Sequence, residues 1–97
     1  MILEIAEIHI KEGTEADFES AMKESIEKYV SPTEGYIKYE LQRGIEEPTH
    51  YMLMITWESV DAHMINFRES DVYAKHRDLI GPYFAKPAHV QHFELCS

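Results

Sequence analysis

HYMLMITWE, residues 50–58, is the stretch whose reading decides the fold. In an extended strand successive side chains point to opposite faces. Tyr51, Leu53, Ile55 and Trp57 then form one face, and Met52, Met54, Thr56 and Glu58 the other. Both faces are largely apolar, which predicts a strand buried on both sides. One layer of helices covers one face of a sheet only. In a chain of 97 residues, the simplest cover for the second face is another copy of the same chain.

Working outward, Ile2 to Ile10 is rich in Ile and partly alternating, which predicts a strand closed by Glu12-Gly13. Thr14-x-x-Asp17 reads as a capping-box variant that opens a helix. Phe18, Ala21, Met22, Ile26, Tyr29 and Val30 recur at three-to-four spacing as its apolar stripe, and Ser31-Pro32 stops it. Gly35 leads into a second strand, Tyr36 to Gly44, and a turn at Glu46–Thr49 leads to the third. Ser59 is a good N-cap for a helix to about Glu69 with Val60, His63, Met64 and Phe67 inward. Ser70 can cap a further piece with Val72, Tyr73, His76, Leu79, Ile80 and Tyr83 inward, broken at Gly81-Pro82. Ala88 to Leu95 is the last strand. The order strand, helix, strand, strand, helix, strand is the split βαβ, ferredoxin-like order: an α+β domain over residues 1–97, its antiparallel sheet carrying helices on one face. The open face is where the second copy packs.

Hydrophobic residues make up 44% of the chain and charged residues 28%, the balance of a globular domain. The net charge of −9 argues against nucleic acid, whose phosphates demand clustered Lys and Arg, and against anionic membranes. It leaves a small ligand open, since a local field can oppose net charge. A lone cysteine, Cys96, forms no intrachain disulfide and suits a reducing compartment. No basic stretch followed by an apolar run opens the chain, and no apolar run approaches the ~20 residues of a membrane span. The expected address is the cytoplasm.

Six histidines are scattered at 9, 50, 63, 76, 89 and 92, with no pair on one helical turn, so no metal site is expected. His89 and His92 fall on opposite faces if their segment is a strand. No glycine-rich phosphate loop or nucleophile elbow is present. His63 and His76 lie on apolar stripes. Each reads either as a core imidazole whose nitrogens find a carbonyl or water, or as a proton-transfer residue. With Trp57, Tyr51 and Tyr73 they suggest an apolar pocket with a few polar tips. Trp57 reads as a core anchor or as a flat wall for an aromatic ligand. Met52, Met54 and Met64 read as core filler. Glu4, Glu7 and His9 are read as rimming the sheet; a buried carboxylate among them would have a raised pKa.

Gly13, Phe18, Gly35-Tyr36, Trp57-Glu58-Ser59, Ala62-His63 and Ser70 together resemble the antibiotic biosynthesis monooxygenase family of the dimeric α+β barrel superfamily, over essentially the whole chain. The resemblance implies a homodimer in which two sheets meet to form a barrel, with a cavity between helices and sheet in each subunit. It implies oxidation of a small aromatic or quinol-type compound without metal, flavin or haem, the substrate supplying the electrons. His63 would be the catalytic acid–base residue, and Trp57, Tyr51, Phe67, Tyr73 and His76 would bind substrate. Leu53 stands where polyketide-oxidising members carry an Asn. Ala6, Phe67 and Arg77 stand where the haem-degrading branch has its Asn, Trp and His, with His76 one position away. A ligand-binding or stress-response protein without turnover, or a haem-degrading or isomerising relative, are the alternatives, because fold and family do not fix the reaction.

Overall fold

In the computed structural model, which describes all of residues 1–97, strand β1 (Ile2–His9) alternates strictly in burial. Glu4, Ala6 and Ile8 are covered, while Leu3, Ile5, Glu7 and His9 are half-buried. Helix α1 (Glu15–Ser25) follows and runs into a widened π turn at Ile26–Val30, where Ser31 N–H donates to the Ile26 carbonyl at 2.8 Å. Phe18, Ala21, Met22, Ile26 and Val30 are buried, as their spacing predicts. The expected capping box does not form. The Thr14 hydroxyl turns back to donate to the Lys11 carbonyl at 2.6 Å, because the turn through Gly13 aims it away from the helix.

Strands β2 (Tyr36–Arg43) and β3 (His50–Trp57) come next. A π-helical segment, Ala62–Phe67, is anchored by Ser59, whose Oγ accepts the Ala62 N–H at 3.1 Å. Helix α2 (Val72–Ile80), a short 3₁₀ turn (Gly81–Tyr83) and strand β4 (His89–Phe93) complete the chain. The Ser70 hydroxyl does not cap α2 but donates to the Phe67 carbonyl at 2.6 Å. The π geometry corrects one expectation. Hydrogen bonds spanning five residues, such as Arg68 N–H to the His63 carbonyl at 2.9 Å, widen the turn. Ala62, His63 and Phe67 therefore face inward, whereas Val60 and Met64 rotate outward and are exposed.

The sheet order is β2-β3-β1-β4 with every neighbouring pair antiparallel. This is the α+β, ferredoxin-like arrangement, with α1 packed on α2 over one sheet face. The register sets Ile2 opposite Trp57 and His9 opposite His50 across β1–β3. Across β1–β4 it sets Glu4 opposite His92 and Glu7 opposite His89. On β3 the helix-facing Tyr51, Leu53, Ile55 and Trp57 are at most 3% exposed, while Met52 and Met54 on the other face are half-buried. The second face expected to be covered is thus the open face of the single chain. No helix is long and apolar enough to cross a membrane.

Two glycines adopt the left-handed region, Gly13 at φ 85° and Gly35 at φ 97°. A Cβ at Gly13 would meet nothing, whereas one at Gly35 would collide with the Ala62 Cβ at the entry to the π segment. Gly13→Ala should therefore cost only the conformational penalty, about 1 kcal/mol. Gly35→Ala should cost about 2 kcal/mol or more, because a steric clash is added. Urea denaturation of the two variants checks the difference; equal midpoints would show that Ala62 yields freely.

Candidate functional site

Glu4 points from β1 into the helix-covered side of the sheet and is 6% exposed. A carboxylate taken out of water is costly unless it is hydrogen-bonded. Its Oε1 accepts the Trp57 indole N–H at 2.9 Å and lies 3.3 Å from His63 Nε2. The register explains the first contact: Trp57 ends β3 beside the start of β1. The second arises from the π segment, which turns His63 down onto the sheet, its ring stacked on Trp57 at 5.3 Å. His63 Nδ1 in turn lies 2.8 Å from Nε2 of His92, which stands opposite Glu4 on β4. A neutral imidazole donates through one nitrogen and accepts through the other. His63 Nε2 approaches Glu4 as a close contact, while His63 and His92 share one hydrogen bond whose donor is set by the tautomer. The three side chains form a close-packed row from a buried carboxylate to half-buried His92.

Burial drives the ionisation of this group. It raises the Glu4 carboxyl to about 7, against partial opposition from the Trp57 hydrogen bond and the Arg68 charge. It lowers His63 to about 4, with the charges of His92, Arg68 and His76 adding to the effect. His76 is lowered to about 4 by burial as well. Near neutral pH both buried imidazoles are therefore uncharged, and Glu4 is the group that titrates.

A cavity of about 100 Å³ opens beside Glu4, between sheet and helices. Ala6, Ile8, Leu53 and Ile55 form its sheet wall; His63, Phe67, Tyr73 and His76 form the opposite wall. Arg68 and Arg77 also line it, and the Arg68 guanidinium sits 4.6 Å over the Tyr73 ring. An engineered apolar cavity of roughly 150 Å³ holds benzene. This cavity is smaller than that, so it has room for at most a single ring, and it lies well below the roughly 300 Å³ lower bound of drug-sized pockets.

Of the residues expected at a site, His63, Phe67, Tyr73 and His76 converge on the cavity, with Phe67 edge-on to both Tyr73 and His76. Trp57 and Tyr51 do not line it. Trp57 is fully buried behind His63 and acts on the cavity through Glu4 and His63. Tyr51 shares its sheet face but stands six residues earlier on β3, about 20 Å away at strand rise. There its hydroxyl donates to Glu19 Oε2 at 2.6 Å and its ring meets Phe18 edge-on. Alternation assigns a side chain to a face, not to a place along it. Conversely, Glu4 does not rim the sheet, and sequence reasoning missed it together with His92, Ser25, Arg68 and Arg77. Ser25 is fully buried on α1 and its hydroxyl meets His76 Nδ1 at 2.7 Å, fixing the orientation of that ring. A signal for Glu4 was present: it is in phase with Ala6, Ile8 and Ile10. On the opposite sheet face, Glu7, His9 and His50 gather with ligand-type atoms within 4.8 Å of one another, a grouping across strands that spacing along the chain does not display.

Comparison with known proteins places this geometry. Residues 1–79 match the sequence profile described as antibiotic biosynthesis monooxygenase. The uncharacterized protein YczJ of Bacillus subtilis is 34% identical over 94 residues, covering 97% of this chain and 98% of that protein. A crystal structure from Bordetella bronchiseptica that carries the same family name is 38% identical, with a TM-score of 0.92 over 99% of this chain and 97% of that one. SnoaB, a cofactor-independent oxygenase from Streptomyces nogalater, shares the fold with a TM-score of 0.85 over 99% of this chain and 93% of that one, at 14% identity.

The buried histidines make stability depend on pH. With folded values of about 4 against an ordinary 6.5, His63 and His76 contribute stability that is present above 6.5 and lost as pH falls toward 4. Glu4 acts in the opposite sense: raised to about 7 from 4.5, it contributes stability present below 4.5 and lost as pH rises through 7. Two groups oppose one, so these three together should lower Tm between pH 6.5 and 4.5. His76→Asn, which keeps a nitrogen toward Ser25 but does not titrate, should make that fall shallower. An unchanged slope in thermal melts across this range would show that His76 protonates freely in the folded chain.

Proposed function

The chain belongs to the antibiotic biosynthesis monooxygenase family, and from that premise we propose that it is a homodimeric, cofactor-independent monooxygenase of a single-ring phenol or hydroquinone. The observation that carries this reading is the Glu4 carboxyl, raised to about 7 in the cavity wall and joined to His63 at 3.3 Å. A base with a pKa near the working pH is best suited to remove a proton at neutrality. His63, lowered to about 4, is a weaker base than Glu4. The expected role of His63 is thereby refined: Glu4 accepts the phenolic proton, and His63, 3.3 Å from its Oε1, holds the carboxyl in place. Arg68 and Arg77 favour the resulting phenolate.

The phenolate then gives one electron to dioxygen, and the resulting radical pair joins to form a carbon–oxygen bond. Loss of water from the peroxide leaves a quinone, so that a phenol and O2 yield a quinone and H2O. The protein deprotonates, orients and excludes bulk water. Phe67, Tyr73 and His76 supply the walls that hold the ring, and Trp57 supports from behind. Tyr51 has no part in this reading. The cavity volume and the Ser25 bond to His76 Nδ1 weigh against haem as a substrate.

The second copy covers the open sheet face. Half-buried Leu3, Ile5, Met52 and Met54, with exposed Phe93, are the apolar surface that supports this. A dimer at micromolar concentration by light scattering is expected, and a monodisperse monomer would refute it.

Oxygen uptake tests the chemistry. Uptake above the autoxidation blank is expected with single-ring hydroquinones and phenols, and not with three- or four-ring substrates. Glu4→Gln should lower kcat/KM by about 10²-fold or more. The wild-type rate should rise through pH 7 as Glu4 ionises, and that rise should vanish in Glu4→Gln. No uptake across the panel would favour a ligand-binding protein without turnover.

A further inference from the structure

The open face of the sheet carries a second cluster of ionisable side chains, separated from the cavity by the sheet itself. Two of the six histidines meet there beside one carboxylate, and a third stands opposite that carboxylate on β4. His9 stands directly opposite His50 across β1–β3, and His89 stands directly opposite Glu7 across β1–β4. Directly opposed residues on one face hold their Cβ atoms ~5 Å apart. Glu7 and His9 share the face because they are two residues apart. His50 Nε2 lies 3.1 Å from Glu7 Oε2, and the rings of His9 and His50 lie parallel with centroids 4.4 Å apart.

We propose that Glu7, His9 and His50 bind a divalent late first-row transition-metal ion of the zinc class, with His89 placed to complete the shell. Imidazole and carboxylate together suit these ions, whereas calcium and magnesium prefer oxygen-only shells. The distances are compatible. Metal–ligand bonds of about 2.0–2.1 Å in a tetrahedron set ligand atoms ~3.3 Å apart. The His50–Glu7 pair is already at 3.1 Å, and all three ligand atoms lie within 4.8 Å of one another. Rotation of the partly exposed His9 ring closes the remaining gap without moving the backbone, since the register has already brought the Cα atoms opposite. The chain's net charge of −9 favours a cation.

Such an ion would tie β1 to β3, and through His89 to β4. It would be a brace and not a redox or Lewis-acid centre for the cavity, because Glu7 and Glu4 point to opposite faces of β1. The inference is independent of the cavity chemistry, and either can fail alone; it places the ion on the face that the proposed second copy covers, at or beside that interface.

Titration of the chelator-treated full chain with Co2+ tests it, in a Cys96→Ser background that removes the one thiol. The expected result is saturation at one ion per chain, with the visible absorption of four-coordinate Co2+. His9→Gln with His50→Gln should weaken binding by more than ~100-fold, beyond the loss produced by removing an outer partner of a ligand. His92→Gln, on the other face, should leave it unchanged. Zn2+ should raise Tm in the parent protein and not in the double variant, because an ion held only by the folded state stabilises it. Far-ultraviolet circular dichroism of the double variant verifies that it folds. Absence of saturable Co2+ binding, or binding that survives in the folded double variant, would overturn the assignment.

Discussion

A single hydrogen bond, from the Trp57 indole to the Glu4 carboxylate, organises the covered side of this molecule. A carboxylate in the sheet's apolar face is tolerable only if its oxygens have donors. Trp57 supplies one, and His63 Nε2 lies 3.3 Å from the same oxygen. The same indole presents its face to His63, so one residue touches both Glu4 and His63. The contact also joins the beginning of β1 to the end of β3, where the sheet's two central strands meet the π segment. Losing the indole would leave a buried carboxylate short of a donor, a costlier change than losing the same apolar area elsewhere in the core.

The cavity beside this pair is small, mostly apolar and lined in part by Arg68 and Arg77, in a chain with twice as many acidic as basic residues. Net charge therefore says little about the field inside. Both buried imidazoles are neutral near pH 7, which leaves Arg68 and Arg77 as the fixed positive charges of the cavity lining. An anion formed there meets cations in a medium less screening than water. The Arg68 side chain is itself held over Tyr73, so its position is defined by an aromatic face and not by an exposed ion pair.

The architecture was legible because period and punctuation act locally. The alternation in HYMLMITWE, the stripe through Phe18 and Val30, and the stop at Ser31-Pro32 each predicted their elements. His63, Phe67, Tyr73 and His76 were placed correctly on inward faces for the same reason. What escaped depended on register and on hydrogen-bond geometry. Nothing in the local sequence tells which residue of β4 stands beside Glu4, so the His92–His63 contact and the His9–His50 stack were out of reach. Tyr51 and Trp57 share a face, but the length of β3 separates them. An α-helical period places Val60 and Met64 inward, whereas both are exposed beside the π turn. A rim position for Glu4 ignores its phase with Ala6 and Ile8, which is the better guide.

The strict pleat of β1 has an evolutionary corollary. Even-numbered residues from Glu4 to Ile8 answer to the cavity, and odd-numbered ones from Leu3 to His9 answer to the opposite surface. Substitutions in one set leave the packing environment of the other nearly untouched, so reactivity and assembly can drift along separate lineages while sharing eight residues of backbone. Insertion or deletion of a single residue has no such freedom. It would exchange the two sets at once, turning Ile5 and Glu7 toward the helices and Glu4 toward the open face. This strand should accordingly accumulate point changes on either side while keeping its length fixed.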